Sequence, residues 1–406
     1  MQRGEIKINN PERFMMGSKI SAEKLELAIK KAVNKLRSKL VTYRDFFPQN
    51  SYRQGCHHVY ILGENNNWQS GMLTGCLVHA YELTNEVEFI ETALAHLTTY
   101  QKKLDCRTNY EYGMSDHDVG FAFSPSCVSI YKHTGNNDAK RIALEAARHF
   151  YNVSYSQRGG FIIRDALEAT SEEGCRTMMD TLMNVPLLFW AAEEFDLPHL
   201  KAAAYSQNLI TRDLLIREDG SSYHHYKFDI DTHKPIKGLT FQGNRDESTW
   251  SRGHSWGIYG FPIAYKYTLD DSLLDVHKDV VAFMLNHLPE DNVLYWDYDF
   301  MTGNEPKDTS ATLISACGLL EAVKYLSPDS QERIIYQNAA NMMIEAVIDG
   351  YTGELDKDGQ FYDGLIWGCT GSKPHGICIE GCALYGDFFY LEALLRLKNN
   401  NYSSIW

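Results

Sequence analysis

The amino-acid sequence predicts an all-α protein in which six helical hairpins close into one ring, the (α/α)6 barrel. Three features predict this fold. A pair of helices recurs five times, one unpaired helix precedes the first pair and another follows the last, and the connections alternate between short and long. A helical unit that recurs at intervals of tens of residues is typical of helical repeat architectures.

Each copy of the repeat consists of an apolar helix, a short turn and an amphipathic helix. The turns lie at Thr84, Thr134, Phe195, Thr268 and Leu326, at spacings of 50, 61, 73 and 58 residues. The first helix of each pair is apolar nearly all round, whereas the second has a polar face. We therefore expect the first helices to form an inner ring and the second helices an outer ring.

The two unpaired helices, at about residues 20–43 and 380–397, allow the ring to close, because the apolar C-terminal helix needs a partner. The long segments then run from outer to inner helices on one face: 43–67, 105–116, 154–176, 218–252, 289–307 and 350–379. Long loops gathered on one face form a pocket. We expect one domain over residues 1–406, with its site on that face and an N-terminal extension at 1–19.

Composition and charge restrict the classes of function. The chain has 406 residues, of which 44% are hydrophobic and 23% charged, so it can bury a large core. A net charge of −14 argues against nucleic acid or an anionic membrane as a partner, since both need a basic face. No signal segment or membrane-spanning run is visible. We expect a cytoplasmic protein that is either a monomer or a homodimer.

The cysteines predict reduced thiols. They number nine, an odd count without the spacing of a disulfide framework. Cys378 and Cys382 have the spacing of two ligands on one helical turn, but no histidine or cysteine pair accompanies them at zinc spacing. No nucleotide or phosphate-binding motif is present either. We therefore expect neither a metal ion nor an organic cofactor.

The segment Asp116-His117-Asp118 precedes the second inner helix and is the first candidate for chemistry. An aspartate here can simply cap the helix, because its carboxylate accepts from free backbone N–H groups. One aspartate is enough for capping, so a second role for Asp118 or His117 in the pocket is the stronger interpretation. Asp308, before the fifth inner helix, has the form of a cap alone.

Asp180 is the second candidate. We predict a helix that begins at Arg176 and presents Asp180 and Asn184 on one apolar face. If Asn184 or Arg176 satisfies the buried carboxyl group, its role is structural. Burial beside another carboxylate would instead raise its pKa and make it a proton donor near neutral pH. We favour the chemical role.

The segment entering the fourth inner helix is the richest in hydrogen-bond donors and flat rings, with Gln242, Arg252 and Trp256. The guanidinium fork suits a carboxylate, and an indole offers a face to a sugar ring. Packed core aromatics would explain the tryptophan but not Gln242 or Arg252. We interpret the segment as a carbohydrate subsite, with Trp68 and His224 at equivalent junctions between loop and helix.

In its motifs the chain resembles the unsaturated glucuronyl hydrolases, glycoside hydrolase family 88, from about residue 20 to 397. The motifs are NWQSG at 67–71, HDVGF at 117–121, MDTLMNVPLL at 179–188, SYH at 222–224, QGN at 242–244, STWSRGHSWGIYGF at 248–261 and GDFFYLEALLRL at 386–397. The resemblance implies an (α/α)6 barrel. It also implies release of the 4,5-unsaturated uronic acid from the non-reducing end of lyase-generated glycosaminoglycan oligosaccharides, mainly disaccharides.

The resemblance further implies roles for individual residues. Asp180 would be the general acid and base of a vinyl-ether hydration, with protonation at C4 and addition of water at C5, and Asp118 would stabilise it and the transition state. The residues implied to contact the unsaturated uronate are Trp68, His117, His224, Gln242, Arg252 and Trp256. Arg252 or a neighbouring donor would lie near the uronate carboxylate.

The chain departs from its relatives around the leaving sugar. Asp165 stands where a relative has tryptophan, Phe241 where a relative has histidine, and Ser372 and Lys373 match a sulfate-binding segment only in part. Three alternatives therefore accompany the prediction: an unsaturated rhamnogalacturonyl hydrolase acting on pectin fragments, a sugar epimerase, and a non-catalytic oligosaccharide binder. Two carboxylates facing the cavity favour an enzyme over a binder.

Overall fold

The computed structural model describes residues 6–16, 19–49, 58–107, 113–165, 171, 174–399 and 401–406. Parts of the predicted N-terminal extension and of the first three long segments lie outside these residues. The described chain is mainly helical and confirms the predicted ring of hairpins.

The helices up to the third hairpin are α1 (Glu12–Met15), α2 (Ala22–Arg37), α3 (Leu40–Tyr43), α4 (Ser70–Thr84), α5 (Val87–Ala95), α6 (Leu97–Asp105), α7 (Val119–Phe123), α8 (Ser129–Thr134), α9 (Asn137–Ser154), α10 (Thr181–Asn184), α11 (Pro186–Phe195) and α12 (Pro198–Ile210). They are followed by α13 (Ser251–Thr268), α14 (Asp271–Asn286), α15 (Thr309–Ala322), α16 (Gln331–Tyr351) and α17 (Leu384–Lys398). Two π-helical turns, Ser124–Val128 and Thr211–Leu215, and a 3-10 turn, Val323–Tyr325, complete the helical segments.

The inner ring consists of α4, α7 with α8, α10 with α11, α13, α15 and α17, and each of these packs against the next. Helix α17 contacts α15, α4 and the outer helix α2, so the two unpaired helices close the ring as predicted. The inner helices are buried on nearly every side, whereas the outer ones are buried on one face. The apolar core therefore lies between the two rings and along the axis.

The short turns within four hairpins share one backbone feature. The inner helix ends at a residue with left-handed φ, namely Asn85 (60°), Gly135 (68°), Asp196 (52°) or Leu269 (57°). This conformation ends a helix and satisfies its last carbonyl groups. Leu269 is notable, because a leucine in this conformation costs about 1–2 kcal/mol and needs the surrounding fold to hold it.

The long segments carry short strands that the sequence patterns did not predict. Strands β1 (Phe47–Gln49) and β2 (Ile61–Gly63) form an antiparallel pair, and β3 (Arg176–Met178), β4 (His225–Phe228) and β5 (Pro235–Leu239) form an antiparallel sheet in that order. The predicted helix start at Arg176 is therefore wrong. Thr177 pairs with Tyr226 across the sheet, and the helix begins only at Thr181.

Both ends of the described chain pack on the ring. Phe14 is buried, and the Arg13 guanidinium donates to the Leu288 carbonyl at 2.6 Å. At the other end, the Trp406 ring lies buried on the barrel axis with its centroid 5.9 Å from that of Phe121. None of the helices in the described part of the chain has the length and apolar character of a membrane span.

Candidate active site

A cavity of about 510 Å³ opens on the face where the inner helices begin. Five of the six long segments contribute to its described wall, and the segment 289–307 does not. The predicted site residues in the wall are Trp68, His117, Asp118, Asp180, Gln242, Arg252 and Trp256. Of the predicted set, only His224 is absent from the described wall.

Asp116, His117 and Asp118 form a charged cluster at one side of the cavity. The imidazole of His117 lies between the two carboxylates, with Nδ1 against Asp116 and Nε2 3.5 Å from Oδ1 of Asp118. Burial alone would lower the pKa of His117, but Asp118 and Asp116 outweigh it and raise this pKa to about 9. His117 is therefore a cation at neutral pH.

The surroundings of Asp118 favour the protonated form of its carboxyl group, unlike those of an aspartate exposed to water. Burial, together with the negative charges of Asp116 and Asp180, raises its pKa to about 7, although His117 opposes the shift. Nδ2 of Asn184 donates to Oδ1 of Asp118 at 3.3 Å and orients the carboxyl group. No capping hydrogen bond from the Asp118 side chain is present, so the capping interpretation of Asp118 is wrong.

The position of Asn184 depends on Gly120. Oδ1 of Asn184 accepts the backbone N–H of Phe121 at 2.7 Å, and its Nδ2 also donates to the carbonyl of Asp180 at 3.2 Å. A Cβ on Gly120 would lie 2.1 Å from the Asn184 carbonyl, so only glycine allows this approach. Asn184 therefore bonds the Asp118 carboxylate, and the alternative in which it satisfies the Asp180 carboxylate is wrong.

Asp180 immediately precedes α10 and directs its carboxyl group into the cavity wall. Burial raises its pKa, and the cations His117 and Arg252 counteract only part of that effect. Its Oδ2 is buried and has no hydrogen-bond partner among the described residues. Nε2 of His224 lies 3.7 Å from this oxygen. Asp180 is thus a carboxyl group that burial biases toward its protonated form, as a proton donor requires.

Arg252 is buried in the wall of the cavity. Its Nη1 donates to Asp308 at 2.8 Å and to the Thr370 carbonyl at 2.6 Å, and its Nη2 donates to the Gly371 carbonyl at 2.5 Å. Asp308 also caps α15, so it is both a cap and the ion-pair partner of Arg252. These bonds fix the 370–371 strip of the wall. Whether Arg252 also meets a substrate carboxylate stays a prediction.

Aromatic rings cover the remainder of the cavity. Trp68 is stacked on Tyr385 with ring centroids 5.5 Å apart, and Trp256 packs on Phe121 at 5.0 Å. The indole Nε1 of Trp256 is buried without a hydrogen-bond partner in the described part of the chain. A buried donor facing a cavity suits a ligand oxygen. The sequence reasoning missed Tyr385, although it follows a loop–helix junction of the kind that held the other candidates.

The rim of the cavity is more open than its floor. The Phe241 ring is 52% exposed and lies 4.3 Å from the ring of His375, whose Nδ1 is 2.7 Å from the Ser372 hydroxyl. Arg164 and Arg176 also border the opening. The sequence patterns assigned neither arginine nor His375 to the ligand site. Arg164 and His375 are isolated residues within loops, and Arg176 was considered only as a partner of the Asp180 carboxyl group.

Two residues expected near the leaving sugar face elsewhere. Asp165 is buried, forms a backbone bridge with Asp116 and is absent from the described wall. Lys373 pairs with Glu305 and lies 5.2 Å from the ring centroid of Trp296. Ser372 does line the cavity, so the partial sulfate-site match contributes only its serine there.

Asp116, His117 and Asp118 also have the donor types of a metal site, with donor atoms within 4.8 Å of one another. Because a protonated His117 lies between the two carboxylates and balances part of their charge, no metal ion is needed to explain this cluster. Cys378 donates its thiol to the Cys369 carbonyl at 3.6 Å, and Cys382 donates to the His58 carbonyl at 3.3 Å. Both thiols therefore remain protonated and donate hydrogen bonds within the wall.

Comparison with known proteins identifies the family. The sequence model of Glycosyl Hydrolase Family 88 matches residues 45–377. The chain belongs to this family. An unsaturated chondroitin disaccharide hydrolase of Streptococcus pneumoniae is 34% identical over 394 residues, covering 96% of each chain. The unsaturated glucuronyl hydrolase of Bacillus sp. strain GL1 is 35% identical over 342 residues, covering 84% of this chain and 88% of that one.

Solved structures of family 88 enzymes agree with the fold. The crystal structure of unsaturated glucuronyl hydrolase from Streptococcus agalactiae superimposes with a TM-score of 0.91 at 31% identity, covering both chains completely. A mutant of that enzyme, complexed with dGlcA-GalNAc6S, superimposes with a TM-score of 0.84 at 28% identity over the whole of both chains. The resemblance noted in the sequence is thereby confirmed.

Proposed function

We propose that this family 88 enzyme releases the 4,5-unsaturated uronic acid from the non-reducing end of lyase-generated glycosaminoglycan disaccharides. The observation that carries the proposal is the pair Asp118 and Asp180, two partly buried carboxyl groups with raised pKa values in one aromatic cavity. A cavity of about 510 Å³ suits one or two sugar units. Relatives named for unsaturated chondroitin disaccharides support the substrate class.

In this proposal Asp180 is the general acid. Its proton passes to C4 of the vinyl ether, and the cation that develops at C5 and the ring oxygen is stabilised by the carboxylate of Asp118. Water adds at C5 and returns a proton to Asp180. The hemiketal opens to a ketone at C5, and the hemiacetal left at C1 expels the next sugar as an alcohol.

The remaining wall residues bind and orient the uronate. The faces of Trp68 and Tyr385 pack against its ring, and the indole N–H of Trp256 and the amide of Gln242 donate to its oxygens. The cation His117 lies between the carboxylates of Asp116 and Asp118. It therefore opposes the rise in the pKa of Asp118 and favours the carboxylate form of this group. Arg252 contributes positive charge near the uronate carboxylate while it holds the wall.

The test follows the ultraviolet absorbance of the conjugated uronate. Unsaturated disaccharides prepared by lyases from chondroitin, hyaluronan, heparin and pectin are each incubated with the protein. Loss of absorbance with a glycosaminoglycan disaccharide is expected. Loss of absorbance with the pectin product alone would establish the rhamnogalacturonyl alternative. Binding of a disaccharide without loss of absorbance from any of them would identify the protein as a non-catalytic binder.

We infer that the enzyme works in the cytoplasm as a monomer or homodimer, without nucleic acid or membrane as partner. The eight cysteines in the described part of the chain are free thiols, and most of them are buried, which suits a reducing compartment. The net charge of −14 supports the exclusion of polyanionic partners. Light scattering of the purified protein distinguishes the two assembly states, and a larger assembly would refute both.

A further inference from the structure

His224 lies directly behind Asp180 instead of in the cavity. It precedes β4, where its backbone N–H donates to the Leu239 carbonyl at 3.1 Å and its carbonyl accepts from Met179 at 2.9 Å. Its ring is buried, and Trp250 packs on it with centroids 4.4 Å apart. The β3–β4–β5 sheet therefore holds this imidazole in a fixed place between Asp180 and the cavity rim.

The hydrogen bonds of His224 determine its tautomer. Nδ1 accepts the backbone N–H of Phe241 at 3.2 Å and that of Gln242 at 3.3 Å. A ring nitrogen that accepts cannot carry a proton, so the hydrogen of the neutral ring is on Nε2. Burial, reinforced by His225 and Arg176, lowers the pKa of His224 well below its ordinary value and keeps the ring neutral.

The N–H at Nε2 faces the acid. Nε2 of His224 and Oδ2 of Asp180 are 3.7 Å apart, and neither atom has a hydrogen-bond partner among the described residues. Leaving a buried donor and a buried carboxylate oxygen unpaired is costly, so a small approach between them is favourable. Other charged groups that interact electrostatically with Asp180 include His117, Arg252, Asp116 and Asp118, and Arg176 also lines the same cavity.

We propose that His224 is a positioning residue: its neutral imidazole donates from Nε2 to Oδ2 of Asp180 and so directs Oδ1 toward the substrate. Because the same ring accepts from Phe241 and Gln242, it also ties the acid to the rim segment that borders the leaving sugar. This inference rests on the proposed function. It replaces the substrate contact that the family resemblance implied for His224.

Two substitutions of His224 test the roles of its two ring nitrogens, Nδ1 and Nε2, separately. In His224→Asn the amide oxygen can replace Nδ1 as acceptor for the rim segment, but the donor toward Asp180 is lost. In His224→Gln the amide N–H can reach the position of Nε2 and retain that donor. His277→Asn is the matched control, because His277 is equally buried but bonds the Ile258 carbonyl, remote from the cavity.

For His224→Asn we expect kcat to fall about 10- to 100-fold with little change in KM, because the carboxyl group loses its fixed orientation. The alkaline limb of the kcat profile should move to higher pH, since removing a donor to the charged form raises the pKa of Asp180. His224→Gln should retain most of kcat and the wild-type pH profile. His277→Asn should lower thermal stability and leave kcat and the profile unchanged.

A rise in KM alone in His224→Asn would restore the substrate-contact role and overturn the proposal, as would unchanged kcat and pH profile. Should His224→Asn fail to fold, nitrogen NMR of the wild-type enzyme decides, with the His224 resonance identified by its loss in His224→Gln. A protonated Nε2 and bare Nδ1 are expected, and the reverse tautomer would refute the proposal. An inactive wild type would instead refute the proposed function.

Discussion

In the described part of the barrel, two clusters of charged side chains differ in how completely their atoms are paired. Toward the far end of the inner helices, Arg396 bonds Glu321 and Glu392, each at 2.9 Å, and Lys324 bonds Glu321 at 2.8 Å. Burial alone would raise the pKa of Glu321, but Arg396 and Lys324 hold it below its ordinary value. We call these four residues the base cluster.

The cavity cluster, formed by Asp116, His117, Asp118 and Asp180, is incompletely paired. Oδ2 of Asp180 and Nε2 of His117 have no hydrogen-bond partner in the described chain, and the pKa values of Asp118 and Asp180 are raised. Buried polar groups normally find partners, so unsatisfied ones at a cavity indicate groups that await a ligand. We therefore expect the base cluster to contribute to stability, and the unpaired groups of the cavity cluster to cost stability while remaining available to a ligand.

The largest expected effect is that of Asp180→Asn. Hydrolysis should fall by about 10⁴-fold, because the amide cannot donate a proton to carbon. Thermal stability should be unchanged or higher: the raised pKa of Asp180 means that its contribution to stability is lost as pH rises through that pKa. Activity and melting temperature are measured together, and retained activity would remove Asp180 from its role.

Arg396→Met tests the contribution of the base cluster to stability. Removing the cation leaves Glu321 and Glu392 buried without it, so unfolding free energy should fall by about 3–5 kcal/mol. Denaturant titration measures the loss, and kcat of the protein that remains folded should match the wild type. A loss of kcat without a loss of stability would mean that the two clusters are not functionally separate.

The pH profile should reveal the coupled carboxyl groups. With the pKa of Asp118 raised to about 7, activity should decline about tenfold per pH unit below that value, because the mechanism needs Asp118 as a carboxylate. An alkaline limb should follow from Asp180, whose pKa is also raised, as this general acid loses its proton. Asp118→Asn removes a negative neighbour, so the pKa of Asp180 falls and the alkaline limb moves to lower pH. A limb that stays in place would show that the two groups titrate independently.

Phe241→Ala is expected to have the smallest effect. The half-exposed ring can pack on the leaving sugar, and its removal should lower kcat/KM about three- to tenfold, mainly through KM. Phe361→Ala is the control, since Phe361 is 77% exposed and absent from the described wall. Equal effects of the two substitutions on KM would exclude Phe241 from sugar binding.

Sequence patterns were sufficient wherever the information is local. The apolar and amphipathic helices follow from residues three and four apart, so the hairpins, the closed ring and the face with long loops could all be predicted. Asp118 and Asp180 stood out because a carboxyl group beside an apolar inner helix is costly without a reason. Strand β3 was mistaken for helix because three residues paired across a loop carry no periodicity.

What the tertiary structure alone decided is which atoms meet. Asn184 bonds Asp118 instead of its sequence neighbour Asp180, Arg252 is held by the 370–371 carbonyls, and His224 lies behind the acid. Each of these contacts joins segments tens to more than one hundred residues apart. The sequence by itself therefore determined the ring and singled out the two carboxyl groups in its cavity. Their partners depend on the approach of distant loops, which no local pattern encodes.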